Sequence, residues 1–165
     1  MHDSELTART VAIRSMQGSC VVDIARLEDL TVRILDCLGV RSFEILILIV
    51  DDPTIAQLNV RHLNHEGSTD IITFPVSEPG DDHLEGELVI SAPWAARVAA
   101  ENSDDPFDEI LLYVVHGILH LTGQDDLSEQ DAAIMKRREF DVLNSIQATI
   151  PKGRFDLPGM PASGN

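Results

Sequence analysis

Residues 43–50 read Phe43-Glu44-Ile45-Leu46-Ile47-Leu48-Ile49-Val50, an almost unbroken apolar run of strand length. It predicts a strand buried on both faces. Upstream, residues 23–38 place Ile24, Leu27, Leu30, Thr31, Ile34, Leu35 and Leu38 on one helical stripe. Asp23 can cap that helix and Gly39 can end it. Before it, residues 9–15 alternate polar and apolar and predict a first strand. Downstream, Asp51-Asp52-Pro53 breaks the apolar run and opens a short helix through residue 64. Asp52 is expected as its cap and Pro53 as its first helical residue, with Gly67 and Ser68 ending the segment.

Residues 70–76 predict another strand, and Pro75 near its end marks a sheet edge or a bulge. Residues 77–83 read as a loop and 86–91 as a further strand. Pro93 opens a helix to about Asn102. Asp105 and Pro106 cap and open the next, with Asp108 and Glu109 in its first turn and Gly123 as its stop. A last amphipathic helix covers residues 128–145, with Ala132, Met135, Phe140 and Leu143 among its apolar positions. The order β-α-β-α-β-β-α-α-α predicts one α+β domain over residues 1–150, a mixed sheet of about four strands with helices packed on it. Residues 151–165, rich in proline and glycine, are expected to form a flexible C-terminal tail.

The chain has 165 residues, the usual size of one domain, with neither an internal repeat nor a low-complexity block. With 44% hydrophobic and 24% charged residues it is not composed like a disordered chain. The longest uncharged apolar run, Ile45 to Val50, falls far short of the ~18 residues that span a bilayer. The opening MHDSELTART has no apolar core, so a signal peptide is not expected. Cys20 and Cys37 cannot build a disulfide scaffold and read as packing residues. A reduced, cytoplasmic protein is expected. Twelve Lys and Arg against 28 Asp and Glu give a net charge of −16. Such a field repels anions over a Debye length of ~8–10 Å and attracts cations. It argues against anionic membranes and non-specific nucleic-acid binding; no DNA partner is expected.

The chemistry concentrates in His116-Gly117-Ile118-Leu119-His120-Leu121-Thr122-Gly123-Gln124-Asp125-Asp126. Histidines four apart on a helix lie one turn apart on one face, where both imidazoles can reach a single ion. Such a pair alone also suits an ordinary half-buried face. Gly123 lets the chain turn back, and Asp125 and Asp126 are the candidates for a third ligand. In the usual zinc-protease pattern a Glu follows the first His as general base; here that position is Gly117, which counts against a peptidase. A second segment, Leu58 to Pro75, contains Arg61, His62, His65, Thr69 and Asp70. Thr69 and Asp70 read as a turn brace, and His62 and His65 as solvated residues or a weaker metal pair. Lys136-Arg137-Arg138 is the one basic cluster and reads as a solvated helix face.

Together these segments resemble the YbeY family of bacterial metal-dependent endoribonucleases, over about residues 10–146. The family signature H-G-x-L-H-L-x-G-Y-D-H is matched at His116, Gly117, Leu119, His120, Leu121, Gly123 and Asp125. Its second segment is matched at Leu58, Asn59, Thr69, Asp70, Phe74 and Pro75; Gly86 to Ser91 and the Met135–Glu139 spacing are also similar. The resemblance implies single-strand RNA cleavage, maturation of ribosomal RNA and ribosome quality control. It implies single-stranded RNA, ribosomal RNA and the small ribosomal subunit as partners. It also implies one Zn²⁺ per chain, held by His116, His120 and Asp126, with Asp126 where the family has its third histidine. Asp is a sound zinc ligand, but its charge makes the ion a weaker Lewis acid and admits other divalent metals, iron included. Asp125 is expected to orient a ligand histidine or the turn. Leu63 stands where the family has an arginine. Arg61 is the candidate to substitute, although two residues rotate a helix by ~200°. Arg61 and Asp70 are the candidate catalytic residues. The alternative to an endoribonuclease is a non-catalytic, metal-stabilised ribosome-assembly or partner-binding module of the same fold.

Overall fold

The apolar run becomes β2 (Ser42–Val50), one of the two inner strands of a four-stranded mixed sheet. It lies parallel to β1 (Arg9–Met16) on one side and to β4 (His83–Ser91) on the other. β3 (Ile71–Pro75) pairs antiparallel with β4, giving the order β1-β2-β4-β3. The helices are α1 (Ile24–Cys37), α2 (Asp52–Leu63), α3 (Ala92–Asn102), α4 (Pro106–Leu121) and α5 (Glu129–Ser145). This computed structural model describes residues 7–63 and 69–155, without the side chains of 62 and 63. His65, Gly67 and Ser68 lie outside the described residues, as do the side chains of His62 and Leu63. Among the described residues no helix is long and apolar enough to cross a membrane.

The element order is the one the sequence predicts, and the departures have local causes. β2 is fully buried on one face only, where Phe43, Ile45, Ile47 and Ile49 meet α1 and α4. Its other face is half-covered. Leu48 packs toward a small cluster of Val50, Ile55, Ile72 and Val89 beneath α2, while Leu46 borders an open groove with Ala12 and Glu87. Asp51, not Asp52, caps α2, its Oδ1 accepting the Thr54 N–H at 3.0 Å. Asp52 is drawn away by tertiary partners, since Ser91 Oγ donates to it at 3.0 Å and Arg97 pairs with it at 2.9 Å. β4 starts at His83, three residues before the expected Gly86, because parallel pairing with Ser42–Glu44 of β2 continues that far. Cys20 packs on the core but Cys37 is exposed.

The C-terminal segment also departs from expectation. Pro151 and Phe155 are buried, and Phe155 meets Phe140 edge-to-face at 5.6 Å. Residues 151–155 are therefore packed onto the domain rather than loose; 156–165 lie outside the described residues. α4 runs through the middle of the molecule. From Phe107 to Leu121 every residue is buried except Asp108, His116 and His120. Asp105 caps it by accepting the Phe107 N–H at 2.9 Å. A Cβ at Gly117 would stand 2.6 Å from Leu88 Cδ2 and 2.9 Å from Ile71 Cδ1, so this glycine lets α4 lie directly on β3 and β4.

Candidate metal centre

One face of α4 is polar inside an otherwise apolar helix. Glu109, Tyr113, His116 and His120 follow one another at steps of four, three and four residues, which aligns them along the axis. The last turn carries the two imidazoles. Beyond it the chain reverses at Gly123, whose φ of 104° suits glycine, and the Gly123 N–H donates to the His120 carbonyl at 3.0 Å. Asp125 then fixes the turn, its Oδ1 accepting the backbone N–H of Asp126 at 2.7 Å and of Leu127 at 3.2 Å. That is the turn-orienting role expected of it, and it leaves Asp126 to reach back to the histidines.

Three ligand-type atoms converge. Nε2 of His116 and Nε2 of His120 are 3.0 Å apart. Oδ2 of Asp126 lies 3.5 Å from the first and 3.4 Å from the second. A tetrahedral zinc with bonds of ~2.0–2.1 Å places its ligands about 3.3 Å from one another. The triangle therefore has the dimensions of one face of such a coordination sphere, and its donor set suits a divalent cation. All three side chains are partly open to solvent, at 26%, 27% and 33% exposed. A fourth direction remains for a substrate.

Glu139 of α5, which the sequence reading leaves without a role, completes the arrangement. It is buried, and its Oε1 sits 2.6 Å from Nδ1 of His116. A carboxylate only accepts, so His116 donates from Nδ1 and keeps the Nε2 lone pair for the triangle. Burial on its own lowers the His116 pKa. The hydrogen bond and charge of Glu139, then the charges of Asp126 and Asp70, outweigh that, and the net shift is upward.

A cavity of about 220 Å³ opens beside the triangle, walled by Asp70, His116, Asp126, Lys136, Glu139 and Arg154 among others. Asp70 braces the start of β3, its Oδ1 accepting from Thr69 Oγ1 at 3.2 Å and from the Ile71 N–H at 2.8 Å. It thus combines the turn role with a place at the site. Arg61 is exposed on α2 and is not among the residues that wall the cavity. Lys136 faces the cavity rather than solvent alone, whereas Arg137 pairs outward with Asp141 at 3.4 Å.

Comparison with known proteins gives a consistent family. A family model described as Endoribonuclease YbeY matches residues 12–147. A Rhodopirellula baltica protein named Endoribonuclease YbeY is 43% identical over 106 residues, which is 62% of this chain and 54% of that protein, about half its length. One of the same name from Bifidobacterium longum is 35% identical over 153 residues, covering 82% of this chain and 84% of the other. The solution structure of a Thermotoga maritima protein shares the fold, with a TM-score of 0.57 at 22% identity, over 92% of this chain and all of the other.

Proposed function

The chain belongs to the YbeY endoribonuclease family, and on that premise we propose that it is a metal-dependent, single-strand-specific endoribonuclease. Its place would be ribosomal RNA maturation and ribosome quality control in the cytoplasm, with ribosomal RNA at the small subunit as its partner. The observation that carries the reading is the His116–His120–Asp126 triangle with Glu139 behind it. His116, His120 and Asp126 would hold one zinc ion, with other divalent metals admitted by the carboxylate. When bound, a divalent cation supplies positive charge and Lewis acidity to a phosphodiester.

The protein's own residues do the remaining work. Glu139 keeps the Nδ1 proton of His116 in place and so fixes that ring's orientation. Asp70 has Oδ1 occupied by Thr69 and Ile71, which leaves Oδ2 to accept a proton from the attacking group. The cavity holds the strand next to the triangle. The strand is taken as single and extended, since its bases then need not stay stacked in a duplex.

The test is cleavage of a labelled single-stranded RNA and its duplex by zinc-loaded protein, beside Asp126→Ala, with metal content measured on both. Cleavage of the single strand only, lost together with the metal in Asp126→Ala, supports the proposal. A fully zinc-loaded protein that leaves both RNAs intact favours the non-catalytic ribosome-assembly module instead.

A further inference from the structure

Glu109 has no exposed surface, yet it sits on α4 between Phe107 and Ile110, in the middle of the core. Burial raises its pKa, opposed by the neighbouring Tyr113 hydroxyl and by the charges of Arg154 and Lys136. A buried carboxylate contributes little to stability compared with an apolar residue of similar size. What it does here is hold a cation. Arg154 Nε lies 2.9 Å from Glu109 Oε1, and the Arg154 side chain is 28% exposed on the wall of the metal-site cavity.

A guanidinium carries its donors in a planar fork. Its Nε approaches Glu109 as an ion pair without the alignment of a hydrogen bond, and among the described residues neither Nη makes a hydrogen bond. The other cation on the wall, Lys136, is engaged, with Nζ 3.7 Å from Glu139 and over the Phe155 ring at 5.3 Å. Among the described residues Arg154 thus keeps both Nη groups free of hydrogen bonds on the cavity wall that His116 and Asp126 also line, ion-paired to a residue of the helix that carries both histidines. A fork of this kind matches phosphate oxygens. It also lies outside residues 12–147, the span matched by the family model, so it is supplied by the chain's own C-terminal segment.

We propose that Arg154, positioned by Glu109, grips a phosphate of the RNA strand beside the metal centre. The proposal rests on the endoribonuclease reading. Arg154→Ala alone would strand a buried carboxylate, so the informative variants are Arg154→Lys and the double variant Glu109→Gln/Arg154→Met, with Arg137→Ala as an outward-facing control. Each is loaded with zinc, and metal content and circular dichroism are recorded. Binding of a 2′-O-methyl oligonucleotide is followed from 50 to 200 mM salt, and kcat/KM is measured on the RNA.

The double variant is expected to bind at least tenfold more weakly. The slope of log affinity against log salt should become shallower by ~0.7, the value for one lost single-strand phosphate contact. Arg154→Lys should restore the slope but only part of kcat/KM. A double variant with zinc bound and an unchanged slope overturns the proposal. If it does not fold, Arg154→Lys decides, and kcat/KM equal to wild type overturns it. Wild-type cleavage alongside such a result leaves the endoribonuclease reading standing. A wild type that neither binds nor cleaves sinks both.

Discussion

An imidazole offers a lone pair to a cation at one nitrogen only when the other holds the proton, and Glu139 enforces that choice for His116 at 2.6 Å. Partners of this kind are worth about 10–100-fold in metal affinity. Glu139→Ala should therefore weaken zinc binding by about that factor while the helices stay folded, measured by competition with a chromophoric chelator. Equal affinity would mean that His116 is oriented by packing alone. His120 has no such brace among the hydrogen bonds of the described residues, so His120→Ala should remove the metal while Glu139→Ala only loosens it. The histidine pair and the carboxylate after Gly123 are legible in the sequence because they are local. Glu139 is not. It lies 23 residues beyond His116, and its approach depends on how α5 packs across α4. Glu109 reads locally as a first-turn acid that favours the helix dipole, which is true of its position and misses its burial. The one available signal was the spacing from Glu109 to Tyr113, His116 and His120, a polar stripe in a helix otherwise made for a core.

The element that positions the site is α4, and its seat on the sheet is set by Gly117. A methyl group there meets Leu88 and Ile71, two branched side chains that are themselves packed. Gly→Ala in a helix interior would normally stabilise by up to ~1 kcal/mol. Overpacking in a core costs about 1–3 kcal/mol. The second effect should win, so Gly117→Ala is expected to lower stability by roughly 1–2 kcal/mol in urea unfolding, and to loosen metal binding by lifting α4 off β4. A stabilised variant would show that Leu88 and Ile71 can move aside freely. The same helix shows why element order was readable and element detail was not. Caps and stops such as Asp23, Asp105, Ser128 and Gly123 act within their own helices. Asp51 and Asp52 are locally equivalent, and only Ser91 and Arg97, far off in sequence, decide which one caps α2. The uncovered half of β2 was unreadable for a similar reason. An apolar run does not say whether α2 is long enough to shield all of it.

At the scale of the whole molecule the question is how a chain of net charge −16 would select one cation and accept an anion. Its surface concentrates any divalent ion, so a general effect of divalent salt on stability is expected and carries no information about the site. Around the cavity Asp70, Asp126, Glu139 and the buried Glu109 oppose Lys136 and Arg154, four negative charges against two positive ones, which leaves −2. One divalent ion brings that balance to zero. RNA binding should therefore depend on the metal, even for an oligonucleotide that cannot be cleaved. The matching stability prediction is specific. Zinc at 100 times its Kd stabilises the folded state by about 2.7 kcal/mol, which for a chain of this length raises Tm by roughly 5–10 °C. His120→Ala should lose that rise and keep whatever shift magnesium gives the wild type, because the diffuse field is unchanged. If zinc raises the Tm of His120→Ala as much as that of the wild type, the ion is responding to the acidic surface and not to the triangle.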